Sequence, residues 1–125
     1  MRHLITLMAL VFSLNAWADI GQNTLTLQSL NLDNAGTAQQ VSSASGELWV
    51  TSVTFQAPPG NSGNVFIANS AANAQGSNRI TLQAGESLVV EGRLLPTGYR
   101  AGVKLQDVYW DGATAGDDLV YIYVQ

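Results

Sequence analysis

The residues able to do acid, base or nucleophilic chemistry are few. The chain has one histidine, His3, and no cysteine. Beyond His3 there is neither an imidazole nor a thiol, which removes Ser-His-Asp and Cys-His nucleophilic systems, thiolate chemistry and ordinary zinc sites. Carboxylates remain. A glycosidase needs two of them facing each other across a cleft, and Glu47, Glu86, Glu91 and Asp107 are members by type. Their spacing in sequence brings no pair together, and Glu86 stands in a Gln-Ala-Gly-Glu turn. With the commonest general base missing, the residues point away from an enzyme and call for no cofactor.

Three other groupings have chemical potential. Asp107, Asp111, Asp117 and Asp118 gather near the C-terminus and offer oxygen ligands to Ca²⁺, but they lack EF-hand spacing, and Asp-Gly and Gly-Asp are also ordinary turn residues. Arg93, Arg100 and Lys104 surround Tyr99 and form a patch for an anionic ligand, a glycan or a receptor, or else simply solvate a loop. Trp110, beside Tyr109, is suited to stacking on a sugar, to anchoring an interface, or to capping a core with Trp49 beneath it.

The frame that must hold these residues is read from composition and periodicity. The chain has 125 residues, enough for one domain. Met1-Arg2-His3, an apolar run from Leu4 to Phe12, and Ala16-Trp17-Ala18 read as a secretory signal peptide over residues 1–18. An uncleaved membrane anchor is the alternative, and these residues would then be the chain's membrane contact. The apolar run is short of the ~20 residues that a spanning helix needs. Cleavage after Ala18 leaves residues 19–125 with four basic residues (Arg79, Arg93, Arg100, Lys104) against nine acidic ones, hence a net charge of −5. So acidic a chain is a poor match for nucleic acid. An exported domain without disulfides must rely on core packing or on assembly.

Short apolar runs separated by turn residues predict strands throughout. Thr24 to Leu30 alternates, with Leu25 and Leu27 expected inward, and Thr37 to Val41 suits a short edge strand. Glu47 to Phe55 reads as one strong strand, with Trp49 and Phe55 as core anchors. Asn64–Asn69, Arg79–Leu82 and Ser87–Glu91 are further strands; Ser70 to Ser77 is a loop of small residues, and Gly92 to Gly102 a longer one. Lys104 to Val124 reads as a closing β-hairpin around Gly112-Ala113-Thr114-Ala115-Gly116-Asp117. In its last run Val120, Ile122 and Val124 fall on one face, and Leu119, Tyr121 and Tyr123 on the other. Both faces are apolar, which suits a strand between a sheet and a second layer or partner. Seven or eight such strands predict an all-β, antiparallel sandwich of jelly-roll type.

Three segments, in this order, carry a resemblance: Gly63-Asn64-Val65-Phe66-Ile67-Ala68-Asn69-Ser70, then Leu82-Gln83-Ala84-Gly85-Glu86-Ser87-Leu88, then Leu105-Gln106-Asp107-Val108-Tyr109 with the Gly112–Asp117 turn and the terminal aromatic strand. Over about Val53 to Val124 the chain resembles small β-sandwich virion proteins of bacteriophages. The resemblance implies a minor coat, spike or decoration subunit with no catalytic residues. Two departures stand out. A signal peptide implies a phage that assembles at a membrane, and the 92–102 loop is longer than the family pattern.

The resulting expectation is a structural virion protein exported to the periplasm or inner membrane of a Gram-negative-type host. Its partners would be copies of itself or other virion proteins, with Trp110, Val120, Tyr121, Ile122 and Tyr123 as the contact. The alternative is a secreted or periplasmic binding module using Arg93, Tyr99, Arg100 and Lys104 to recognise a glycan or a host-surface receptor. A pilus-like subunit completed by a donated strand, with Asp19 to Leu30 as donor, is a third arrangement.

Overall fold

The computed structural model describes residues 25–99 and 101–124. The signal peptide and arm read from residues 1–23 lie outside this range, as does Arg100.

The strands are β1 (Leu25–Asn31), β2 (Gln39–Gln40), β3 (Trp49–Val50), β4 (Ser52–Gln56), β5 (Val65–Ala68), β6 (Ile80–Leu82), β7 (Ser87–Glu91), β8 (Val103–Lys104), β9 (Tyr109–Gly112) and β10 (Asp118–Val124). A single-turn helix, α1 (Ala71–Gln75), follows β5, and a 3₁₀ turn, Leu105–Asp107, follows β8. The pairing is nested: β1 with β10, β2 with β9, β3 with β8, β4 with β7 and β5 with β6, all antiparallel. The chain is thus one long double ribbon whose far end is the β5–β6 connection. Rolling the ribbon adds the pairs β10–β4 and β9–β5. The result is two four-stranded sheets, sheet I in the order β1-β10-β4-β7 and sheet II in the order β2-β9-β5-β6, with β3-β8 as a short separate ribbon. This is an antiparallel jelly-roll sandwich.

The core between the sheets includes Val53, Phe55, Val65, Ile67, Leu105, Trp110, Leu119, Tyr121 and Tyr123. Phe55 and Tyr121 pack as a tilted pair at 6.1 Å, and Tyr121 stacks on Tyr123 at 6.0 Å. The Tyr121 hydroxyl donates to the Val41 carbonyl at 3.3 Å, which satisfies its polar end inside the sandwich.

Several sequence expectations are corrected. Glu47 to Phe55 is not one strand. It breaks at Thr51, so the buried positions run Val50, Val53, Phe55 rather than strictly alternating, and the two halves join different sheets. Trp49 therefore points outward, 52% exposed, while Phe55 is buried as expected. Lys104 to Val124 is not a hairpin. β9 belongs to sheet II and β10 to sheet I, because the 113–117 turn is tied elsewhere: Ala113 N–H to the Asn64 carbonyl (2.9 Å) and Gly116 N–H to the Leu32 carbonyl (2.8 Å). Leu25 and Leu27 face out, at 68% and 63% exposure, because β1 lies on sheet I with Thr26 and Leu30 turned to the core side. β1 also pairs with β10 of its own chain, so Leu25 to Leu30 is not a strand awaiting donation. The Ser70–Ser77 segment contains α1, started by the Ser70 side chain accepting from Asn73 N–H.

Candidate functional site

The residues singled out for chemistry are dispersed by the fold. Asp117 is buried, and its two carboxylate oxygens accept from Ser62 N–H (2.8 Å) and Gly63 N–H (2.7 Å). Asp111, also buried, accepts from Gly36 N–H (3.0 Å) and Gly112 N–H (2.8 Å). Asp118 accepts from the Asn31 amide at 2.9 Å. Asp111 and Asp117 clamp loops through backbone donors and Asp118 is tied to a side-chain amide, and among the described residues no three His, Cys, Asp or Glu side chains converge on a metal position.

The four carboxylates of the glycosidase reading stand on different segments. Glu86 closes the β6–β7 turn by accepting from Gln83 N–H at 2.8 Å, Glu91 ends β7, and Glu47 pairs with Lys104 at 2.6 Å. Asp107 alone of the four lines the cleft beside β6 and β7. The Glu47 carboxyl is held below its ordinary range, first by the Lys104 hydrogen bond and then by the Trp49 indole, which donates to it at 3.0 Å. Lys104 is correspondingly raised by Glu47. Of the basic-aromatic patch, Lys104 is therefore engaged with Glu47 and sits 5.9 Å from the Trp49 ring. Arg93 and Tyr99 stand on a hairpin whose stem is closed by Ala101 N–H to the Arg93 carbonyl (2.8 Å). Its tip turns at Pro96, with Gly98 N–H bonded to the Leu95 carbonyl (2.9 Å), Gly98 at φ +86°, and Leu95 N–H bonded to the Tyr99 carbonyl (2.7 Å). Proline in the turn followed by a left-handed glycine makes this a type I turn with a glycine bulge. The loop from 92 to 102 is thus a built projection, with Leu94, Leu95 and Tyr99 exposed at its end.

The five residues expected at a subunit contact divide by face. Trp110, Tyr121 and Tyr123 lie in the core and are unavailable to a partner; Trp110 is not a cap over Trp49. Val120 and Ile122 lie on the outer face of sheet I. Register assembles that face in rows: Leu25, Val124, Ser52 and Glu91; Leu27, Ile122, Thr54 and Val89; Ser29, Val120, Gln56 and Ser87. Side chains directly opposed in an antiparallel ladder share a face, so Leu25, Leu27, Val120, Ile122 and Val124 form one continuous apolar surface over β1 and β10, which the polar column Ser52, Thr54 and Gln56 of β4 separates from Val89. Leu25 and Leu27 are its most exposed members. On the other side of the molecule α1 packs on β5 and β9, and Gln75 reaches the Gly36 carbonyl at 2.8 Å. Sheet I has no such cover among the described residues.

A cleft of about 660 Å³ opens between the sheets, lined among others by Ile67, Ile80, Leu88, Val90, Asn73 and Asp107. Ile80 and Ile67 are register partners with the same facing, yet Ile67 is 4% exposed and Ile80 49%. The core is left uncovered at this point. β6 and β7, the outermost strands of their sheets, form its edges.

Fold and surfaces define an antiparallel jelly-roll domain with one bare apolar sheet face, a projecting hairpin and an open inter-sheet cleft. No protein-family model and no curated protein matches the chain. Among solved structures it is similar to a de novo designed double-stranded β-helix, at 15% identity and a TM-score of 0.41, covering 82% of this chain and 99% of that one. It is also similar to the extra small virus particle protein of the giant freshwater prawn Macrobrachium rosenbergii, at 10% identity and a TM-score of 0.41, covering 82% of this chain and 77% of that one.

Proposed function

We propose that this chain is a non-enzymatic structural subunit, exported and built into a bacteriophage particle as a minor coat, spike or decoration component, whose copies meet through the outer face of sheet I. The observation that carries the reading is the row structure of that face. Leu25, Leu27, Val120, Ile122 and Val124 adjoin one another over β1 and β10, and the charged groups of the face, Glu91 and Asp118, stand at its opposite ends. The phage and the export route rest on the sequence resemblance and on residues 1–18.

A second copy suits this face on electrostatic grounds. An acidic chain repels itself wherever carboxylates meet, and the middle of this face carries none, so two copies can approach there without opposing like charges. Four strands at ~4.8 Å and five residues at ~3.3 Å give a flat area of roughly 300 Å² per copy. That is small beside the ~800 Å² per partner of a standard interface. One contact alone is therefore weak, and repetition in a particle is what makes it effective.

The ten described strands and the core they enclose lie within residues 25–124, so a chain starting at Asp19 contains all of them. Light scattering on that chain, with and without Leu27→Ser and Ile122→Ser, tests the reading. It expects self-association that the paired change weakens while the circular dichroism stays native. Association indifferent to the change would sink it. The exposed Tyr99 favours a second reading, a monomeric module recognising a glycan or receptor through the Arg93–Tyr99 hairpin. Retained affinity for a cell surface without any self-association would select it.

A further inference from the structure

The projecting hairpin and the open cleft are complementary features of one chain. The tip is convex and apolar, with Leu94, Leu95 and Tyr99 exposed, Tyr99 at 76%. The cleft is concave, and its apolar floor includes Ile80, an inward-facing residue with nothing over it. The cleft lining holds one base and one acid, Arg79 and Asp107; Arg79 is engaged over the Phe66 ring at 3.3 Å and with the Ala74 carbonyl at 2.9 Å, which leaves Asp107 as the counterpart for Arg93 at the base of the tip. The sizes agree as well. A space of about 660 Å³ corresponds to roughly twenty waters at ~30 Å³ each, more atoms than two leucine side chains and one tyrosine contain.

We infer that the 94–99 tip of one copy seats in the β6–β7 cleft of a second copy, with Leu94, Leu95 and Tyr99 covering Ile80, Leu88 and Val90 and Arg93 drawn towards Asp107. Tip and cleft are close in the chain, since Val90 lines the cleft and the tip begins at Leu94. Because one chain carries both knob and socket, two copies can exchange tips reciprocally, and a twofold pair closes with two identical contacts. This contact shares with the proposed function only the identity of the partner, and it is separate from the outer face of sheet I. A subunit with two distinct self-contacts can extend into a larger assembly, whereas a single isologous face stops at a dimer.

The test uses residues 19–125 carrying Leu27→Ser and Ile122→Ser, which removes the sheet I contact. Two further variants are made in that background: a tip variant, Leu94→Ser with Tyr99→Ser, and a cleft variant, Ile80→Glu, at a position exposed enough to accept a charge. Sedimentation velocity is expected to give a dimer for the background chain and folded monomers for each variant, at least ~10-fold weaker in self-association. An equimolar mixture of the two variants restores one intact contact, tip of the cleft variant into cleft of the tip variant, and is expected to regain a heterodimer. The chain has no native cysteine, so Tyr99→Cys in one copy and Ile80→Cys in another should crosslink on diamide oxidation, well above the yield of a Ser29→Cys control. A monomeric background chain, a dimer indifferent to both variants, or a mixture that stays monomeric and uncrosslinked overturns the inference. Failure of the Leu27 and Ile122 changes to affect the parent chain would instead overturn the sheet I reading and leave this one standing.

Discussion

Replacing Asp117 tests whether its carboxylate is a backbone clamp, as the geometry has it. The side chain is buried and accepts two short bonds, from Ser62 N–H at 2.8 Å and Gly63 N–H at 2.7 Å, tying the β9–β10 turn to the loop before β5. Gly63 permits this approach, because a Cβ there would stand 2.6 Å from Thr114 Oγ1 and 3.3 Å from the Asp117 carboxylate. Hydrogen bonds to a charged group contribute about 1.5–3 kcal/mol each. Asp117→Ala removes both and leaves two poorly solvated donors, so the expected loss is about 3–4 kcal/mol. Asp117→Asn keeps one acceptor but turns an NH₂ towards the other N–H, and should lose roughly half as much. Urea unfolding followed by tryptophan fluorescence reads these losses directly. With a slope near 1.5 kcal/mol per M, within the usual ~1–3 range, the midpoint falls by ~2 M for alanine and ~1 M for asparagine. A fall under ~0.3 M for Asp117→Ala, or an asparagine variant less stable than the alanine one, would refute the clamp. A midpoint for the unmodified chain that drops on adding EDTA would instead favour the Ca²⁺ reading of these aspartates.

Three further outcomes follow from the same coordinates. Trp110 is fully buried and its indole N–H has no partner among the described residues, so Trp110→Ala should cost about 3–5 kcal/mol by cavity formation. Trp110→Phe should cost at least ~2 kcal/mol less in the same urea assay, because it also removes a donor whose burial costs about 1–3 kcal/mol. Gly92→Ala would place a Cβ against the Ala101 carbonyl, which is backbone and cannot turn aside. It should lose about 3 kcal/mol or more, well beyond ordinary overpacking, and release the 93–101 hairpin as read by amide hydrogen exchange. The Tyr121 phenol is raised above its ordinary 10.0, first by burial and then by Tyr123. The unfolded chain therefore loses this proton before the folded one, fewer protons are bound to the unfolded state, and stability falls as pH rises past about 10. Thermal melts from pH 8 to 11 should show that fall, and Tyr121→Phe should flatten it.

Strand existence was legible in the sequence because alternation needs only local chemistry. Val65–Ala68, Ile80–Leu82, Ser87–Glu91 and the run ending at Val124 stand where apolar runs between turn residues placed them. The sandwich class follows from their number and shortness, and of the two apolar faces of β10 one, Leu119, Tyr121 and Tyr123, lines the core while the other is bare among the described residues. Missed was α1, whose signal was Ser70 before Ala71-Ala72 with Asn73 in position to donate back, a cap of the usual kind on a helix too short to show periodicity.

What the sequence by itself determined was thus an acidic cysteine-free composition and a succession of short two-faced strands. Which face of each strand turns inward was decided only by tertiary structure, because alternation is symmetric: a shift of one residue exchanges core and surface without changing the pattern. The break at Thr51 made that exchange between Trp49 and Val50, and sheet membership made it for Leu25 and Leu27. Trp110 and Trp49 are alike in composition, yet one is core and the other surface. The bare sheet and the open cleft come from pairings between strands as much as 99 residues apart, such as Leu25 with Val124. No local pattern encodes them, because each exists only once the nested ribbon has rolled.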